Sequence, residues 1–229
     1  AEALSLSGQA FLACNGQDAT GQPLPAEGFS GYFFQGADFV AGQAGFAAFR
    51  AAGGTPPLSE DGCYVHHHRA GEAHVFTTDH CGYHKLFYIH RPGFWAVSNS
   101  LWQIARSLWQ AGLTPEPNLA EIAAMEAEGT LIPTGRGMFF GQLSTFDSLI
   151  RGVQLAPHGM ALHVSATGAS LHPLPPRSGQ TPRPADYAQS LARALGLWQA
   201  RIAGLAAAGL HLSADLTGGL DSRTVLALL

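Results

Sequence analysis

Thr217-Gly218-Gly219-Leu220-Asp221-Ser222 is the stretch of this 229-residue chain around which the rest is organised. It follows an apolar run at 211–216 and leads into another at 222–229. A short apolar run, a glycine turn and a second apolar run of helical character predict a strand–loop–helix unit. Two glycines in such a loop let backbone N–H groups approach an anion with no Cβ in the way. The hydroxyls of Thr217 and Ser222 can donate to the same oxygens, and the new helix aims its positive end at them. Asp221 brings a carboxylate to the place where Mg2+ would bridge phosphate oxygens. A lone Gly-Gly pair reads as a tight turn, but the six-residue string in this context points to nucleotide phosphate binding.

Working outward, residues 185–208 predict a long helix stopped by Gly209, with Leu191, Leu195, Trp198, Ile202 and Leu205 three or four apart. Before it, residues 172–184 hold five prolines in thirteen positions, which predicts an extended linker. Further upstream, runs rich in aromatic and β-branched residues at 29–35, 62–68, 74–78, 85–90, 94–98 and 160–164 predict strands. Their close spacing favours antiparallel hairpins, with turns at Gly71-Glu72 and Arg91-Pro92-Gly93. Helices are expected at 42–52, at 101–110 with Ser100 as N-cap, and at 118–128.

Bulk properties narrow the function classes. Apolar residues make up 46% and charged residues 12%, enough for a sizeable core. A net charge of −4 with 12 Lys and Arg argues against nucleic acid or an anionic membrane as partner. Cys14, Cys63 and Cys81 form no close pair, which fits reduced thiols and a cytoplasmic location. No run has the length of a membrane span, and no secretory leader is expected. A domain opening strand–loop–helix needs further βα units to bury its sheet, so these residues are expected to be the front part of a longer protein.

The TGGLDS string resembles the SGGxDS loop of N-type ATP pyrophosphatases, with Thr217 in place of the first Ser. Other segments resemble the asparagine-synthetase superfamily. Residues 77–88, TTDHCGYHKLFY, are similar to its RDxxGxxPLYY segment, and 97–101, VSNSL, to FSSEI with Ser100 in place of Glu. Residues 155–162, LAPHGMAL, resemble LPPGxxL, and 62–65, GCYV, resemble GMFAF. The resemblance implies an α+β Ntn-hydrolase-like sandwich over 1–172, a Pro-rich linker at 173–184, and the start of an α/β Rossmann-like ATP pyrophosphatase domain at 185–229. It implies an AMP-forming amide-bond ligase that uses ATP and Mg2+ to adenylate a small-molecule or peptide carboxylate for attack by an amine. Thr217, Gly218, Gly219, Leu220, Asp221 and Ser222 would form the pyrophosphate site, with Asp221 on Mg2+. Catalytic residues are expected downstream of Leu229, so residues 1–229 alone are expected to be inactive.

The family's glutaminase half uses an N-terminal Cys as nucleophile, with its own amine as base. This chain begins Ala1-Glu2, and Cys14 would need thirteen residues removed to take that role. The glutamine-binding strings NGE and GSD have no counterpart; Ser30-Gly31-Tyr32 comes nearest. The front domain therefore resembles the inactive glutaminase domains of β-lactam synthetases and lasso-peptide cyclases. Two other readings stay open: a non-catalytic scaffold or peptide-binding fragment serving a separate synthetase chain, and a glutamine amidohydrolase using Cys14. A homodimer is a further option. Of His66-His67-His68, strand alternation lets His66 and His68 alone share a metal, and a half-exposed strand is the favoured reading. Cys81 next to His80 and near His84 offers a Cys–His pair, against the simpler reading of a loop thiol.

Overall fold

The computed structural model describes residues 11–58, 60–131, 145–175, 186–210, 212 and 219–228. Among them the chain forms a mixed α/β fold with two antiparallel sheets and five helices. The first sheet has the order β2 (Gln17–Asp18), β1 (Leu12–Cys14), β8 (Phe94–Ser98), β7 (Phe87–Arg91), β9 (Gln154–Leu155). The second runs β11 (Ala169–Pro173), β10 (Met160–Val164), β6 (Ala73–Thr78), β5 (Asp61–Ala70), β3 (Glu27–Gln35), β4 (Asp38–Ala41). The strands at 29–35, 62–68, 74–78, 85–90, 94–98 and 160–164 are all present, within two residues at each end. Both turns expected from their residues close two-residue hairpins, Ala70 pairing Ala73 and Arg91 pairing Phe94.

Alternation sorts the side chains into layers. Ala13, Val65, Phe76, Trp95, Val97, Leu162 and Val164 come from both sheets and pack together, so the sheets lie face to face. On the far side of the first sheet, Ile89, Phe94 and Ala96 pack against Ile104 and Leu108 of helix α2 (Leu101–Gln110). On the far side of the second, Phe29, Phe33, Val40 and Tyr64 enclose Phe46 of helix α1 (Gly42–Ala51). The order is helix, sheet, sheet, helix. Three separate apolar clusters result because each sheet buries both faces. The α2 reading holds in detail: Ser100 accepts from the Gln103 amide, and Ile104, Ala105 and Leu108 are buried. Helix α3 (Leu119–Leu131) begins within one residue of the start expected at 118.

Gly31 fixes how closely β3 and β5 approach. Its φ is +99°, and a Cβ there would collide with the Cys63 carbonyl oxygen and the Tyr64 Cα. A side chain is thus excluded by backbone on both counts.

Two expectations about the C-terminal part need correction. The extended segment expected from residue 172 is preceded by a strand that was missed: β11 carries His172 and Pro173 into the second sheet. Pro173 is tolerated because β11 is an edge strand. Helix α4 (Tyr187–Ala207) forms with Asp186 as its N-cap and Gly209 beyond its end. Its apolar stripe is not buried, however: Leu191, Leu195 and Trp198 are exposed. The buried residue of α4 is Arg201, which donates to the Gly36 carbonyl at 2.9 Å and to Asp61 Oδ2 at 3.0 Å. Its guanidinium also lies over the Phe34 and Trp198 rings. Helix α5 (Leu220–Leu228) packs against α4. The strand expected at 211–216 lies outside the described residues.

Candidate functional site

The glycine loop comes first because its chemistry is the most specific. Thr217 and Gly218 lie outside the described residues. Gly219 is exposed, and α5 starts at the next residue, Leu220, so the backbone of Leu220 and Asp221 forms the first turn of that helix. The side chains of these two residues are also outside what is described. Ser222 Oγ donates to the Gly219 carbonyl at 3.3 Å, turning back on its own helix end. A helix starting at this point has its positive terminus at the glycine.

Three further clusters sit in the front sandwich. The first is a cleft of about 410 Å3 where β1 and the segment 18–25 meet the inner face of β3 and β5. Thr20, Leu24, Ser30, Gln43 and His67 line it. Gln43 Oε1 accepts from the Phe29 amide, tying α1 to the cleft wall. His67 is 2% exposed, and its Nε2 lies 2.9 Å from His74 Nδ1. Burial drives His67 down to about 4, with the neighbouring His74 adding to the effect. His74 is lowered too, by burial and then by Arg69. At neutral pH the two imidazoles are therefore uncharged, and one proton joins them.

The second cluster centres on Asp79, 1% exposed, whose carboxylate accepts from the Tyr83 amide at 2.9 Å and the His84 amide at 2.8 Å. This organises the segment 80–84 that the resemblance singles out. His84 Nδ1 then lies 3.6 Å from Cys63 Sγ. The cysteine beside His84 is thus Cys63, which is distant in sequence, while Cys81 is exposed, in keeping with the simpler reading of a loop thiol. Burial raises the Cys63 thiol, helped by the Asp79 charge, and burial lowers His84. The pair is a neutral thiol beside a neutral imidazole, not a thiolate–imidazolium couple.

The third lies on the outer face of the second sheet. His66 and His68 do share that face, with ring centroids 5.4 Å apart. The half-exposed strand is corrected, since His66 and His67 are 1% and 2% exposed. His66 Nε2 bonds Glu27 Oε1 at 3.0 Å, and Phe46 packs against the ring. Among the described residues no three His, Cys, Asp or Glu side chains group as a metal site.

Cys14 ends β1 with Ala96 as cross-strand partner and packs with the α2 cluster. Burial raises its thiol. It points to the opposite face of the first sheet from Ala13, which belongs to the inter-sheet core.

No protein-family model matches the chain, and no curated protein matches it. Among the described residues no helix is long and apolar enough to cross a membrane.

Proposed function

We propose that the chain belongs to an ATP-dependent, AMP-forming amide-bond ligase of the asparagine-synthetase type that does not hydrolyse glutamine. The observation that carries this reading is the TGGLDS string with a helix beginning at Leu220, directly behind Gly219. That arrangement would turn a helix terminus toward a pyrophosphate, and Asp221 would be the carboxylate for Mg2+. Magnesium there would neutralise charge building on the leaving pyrophosphate. The helix–sheet–sheet–helix order supports an Ntn-hydrolase-like front domain, and a Rossmann-like synthetase domain would follow it. The substrates would be a small-molecule or peptide carboxylate and an amine, in the cytoplasm.

The Cys14 amidohydrolase reading is disfavoured by the position of the thiol. It faces α2 rather than the inter-sheet cleft, and burial keeps it protonated. The scaffold reading draws support from the exposed Leu191, Leu195 and Trp198, a surface that a separate synthetase chain would cover.

The test is pyrophosphate release by the complete protein with ATP, Mg2+ and a panel of carboxylates. Asp221→Ala is expected to lower it by about two orders of magnitude or more, the scale for losing one charge-stabilising group. Removing Mg2+ should abolish it. Undiminished release in the variant would refute the assignment of the loop.

A further inference from the structure

On the outer face of the second sheet, a cleft of about 680 Å3 opens between the C-terminal turn of α1, the segment 55–58 and β5. Glu27, Arg50, Pro56, Leu58, His66 and His68 line it. Its volume is that of a small-molecule site, with Pro56 and Leu58 as an apolar wall and polar or charged side chains around the rest. It is separate from the glycine loop and from the inter-sheet cleft, and does not depend on the ligase reading.

The protonation pattern inside is determined by the contacts. Glu27 loses some ionisation tendency to burial, but the His66 hydrogen bond and the Arg50 charge outweigh that and hold its carboxyl below the usual range. An ionised carboxylate can only accept, so His66 Nε2 carries the hydrogen of their 3.0 Å contact. Burial lowers His66, exceeding the opposing pull of Glu27, so the ring is neutral. Its Nδ1 is therefore a bare lone pair. That atom is buried with no hydrogen-bond partner, and so is His68 Nδ1 beside it. Thr77 Oγ1, on the residue paired with His66 across the sheet, is orphaned as well. An unmade bond of this kind is a standing cost, and a ligand that donates would recover it.

We propose that this cleft binds a small primary amine as its ammonium ion. The ammonium would donate to His66 Nδ1, with its alkyl part against Pro56 and Leu58. Charge agrees with this choice: Glu27 and Glu60 bring two carboxylates to the cleft against the one guanidinium of Arg50. Arg50 is already committed, its Nε to Glu27 and its NH1 to the Gly54 carbonyl, so it does not offer an anion site.

The experiment titrates the chain with n-butylamine at neutral pH and follows imidazole nitrogen resonances by long-range 1H–15N spectra, with n-butanol and butyrate as shape-matched controls. A saturable shift at His66 Nδ1 is expected with the amine and not with butyrate. Both His66→Phe, which keeps the ring against Phe46, and Glu27→Gln should weaken binding about tenfold or more, or about 1.4 kcal/mol. His172→Phe, on the same sheet but away from the cleft, should leave it unchanged. Absence of a saturable shift would mean ordered water alone completes these bonds and would overturn the proposal. Equal binding of butyrate, or unaltered affinity in both variants, would overturn it too.

Discussion

The front sandwich and the helix α4 respond to the same kind of sequence pattern in opposite ways. In the sandwich, apolar periodicity becomes burial: Ile104 and Leu108, spaced four apart on α2, are both fully enclosed. In α4, Leu191, Leu195 and Trp198 have equivalent spacing and stay exposed, while Arg201 is the residue that packs inward. A helical apolar stripe states what a helix is able to bury, not whether a surface is there to receive it. The sandwich supplies two receiving faces on each sheet. Where α4 meets the second sheet, the β3–β4 hairpin supplies the Gly36 carbonyl oxygen and the Phe34 ring, and β5 supplies the Asp61 carboxylate, which suit a guanidinium.

The contrast can be broken by mutation. Leu108→Ala, in the closed cluster beneath α2, is expected to cost about 2–5 kcal/mol by denaturant unfolding. Leu195→Ala, one of the exposed α4 positions, should change stability by less than about 0.5 kcal/mol. Similar costs for the two would show that α4 is covered. Between these extremes, Gly31→Ala is expected to cost about 1–3 kcal/mol through its positive φ and the collision with the neighbouring strand. A neutral result would mean that β3 and β5 separate at no cost.

Arg201→Met sharpens the comparison from the other side. It removes the bonds to Asp61 and Gly36 while keeping much of the apolar stem. Amides of α4 should lose hydrogen-exchange protection while those of β5 and β6 keep theirs. Equal loss in both regions would show that α4 belongs to the same cooperative unit.

A separate expected effect concerns pH. His67 has a folded pKa of about 4 against 6.5 for its ordinary value. The unfolded chain therefore binds the proton first, so stability is full above pH 6.5 and falls as pH drops from there toward 4. His66 and His74 shift in the same direction and steepen the loss. Unfolding midpoints measured across this window should decline in the native chain and decline less in His67→Gln. A flat profile would mean these imidazoles are not buried as neutral groups.

Much of the sandwich could be read from the chain because its signals are local. Two-residue turns at Gly71-Glu72 and Pro92-Gly93, alternation in 94–98 and the Ser100 cap each declare themselves within a few residues. The strands β2, β4 and β9 are only two to four residues long and carry too little pattern to be recognised alone. Pairing across the sequence was hidden as well. Cys63 meets His84 only because Asp79 folds the segment 80–84 back, and nothing near Cys81 signals that. The buried histidines misled because polarity argues for exposure, whereas His66 is accommodated by Glu27 and His67 by His74, partners 39 and 7 positions away. The helix behind the glycine loop was expected from signals just as local, a Gly-Gly turn followed by an apolar run, and it forms from Leu220.

The most direct measurement of the central claim is the identity of the products when the complete protein consumes ATP with a carboxylate and an amine, followed by 31P NMR. AMP and pyrophosphate are expected in step with amide formation and dependent on Mg2+. ADP and inorganic phosphate, or amide formation without nucleotide turnover, would contradict it.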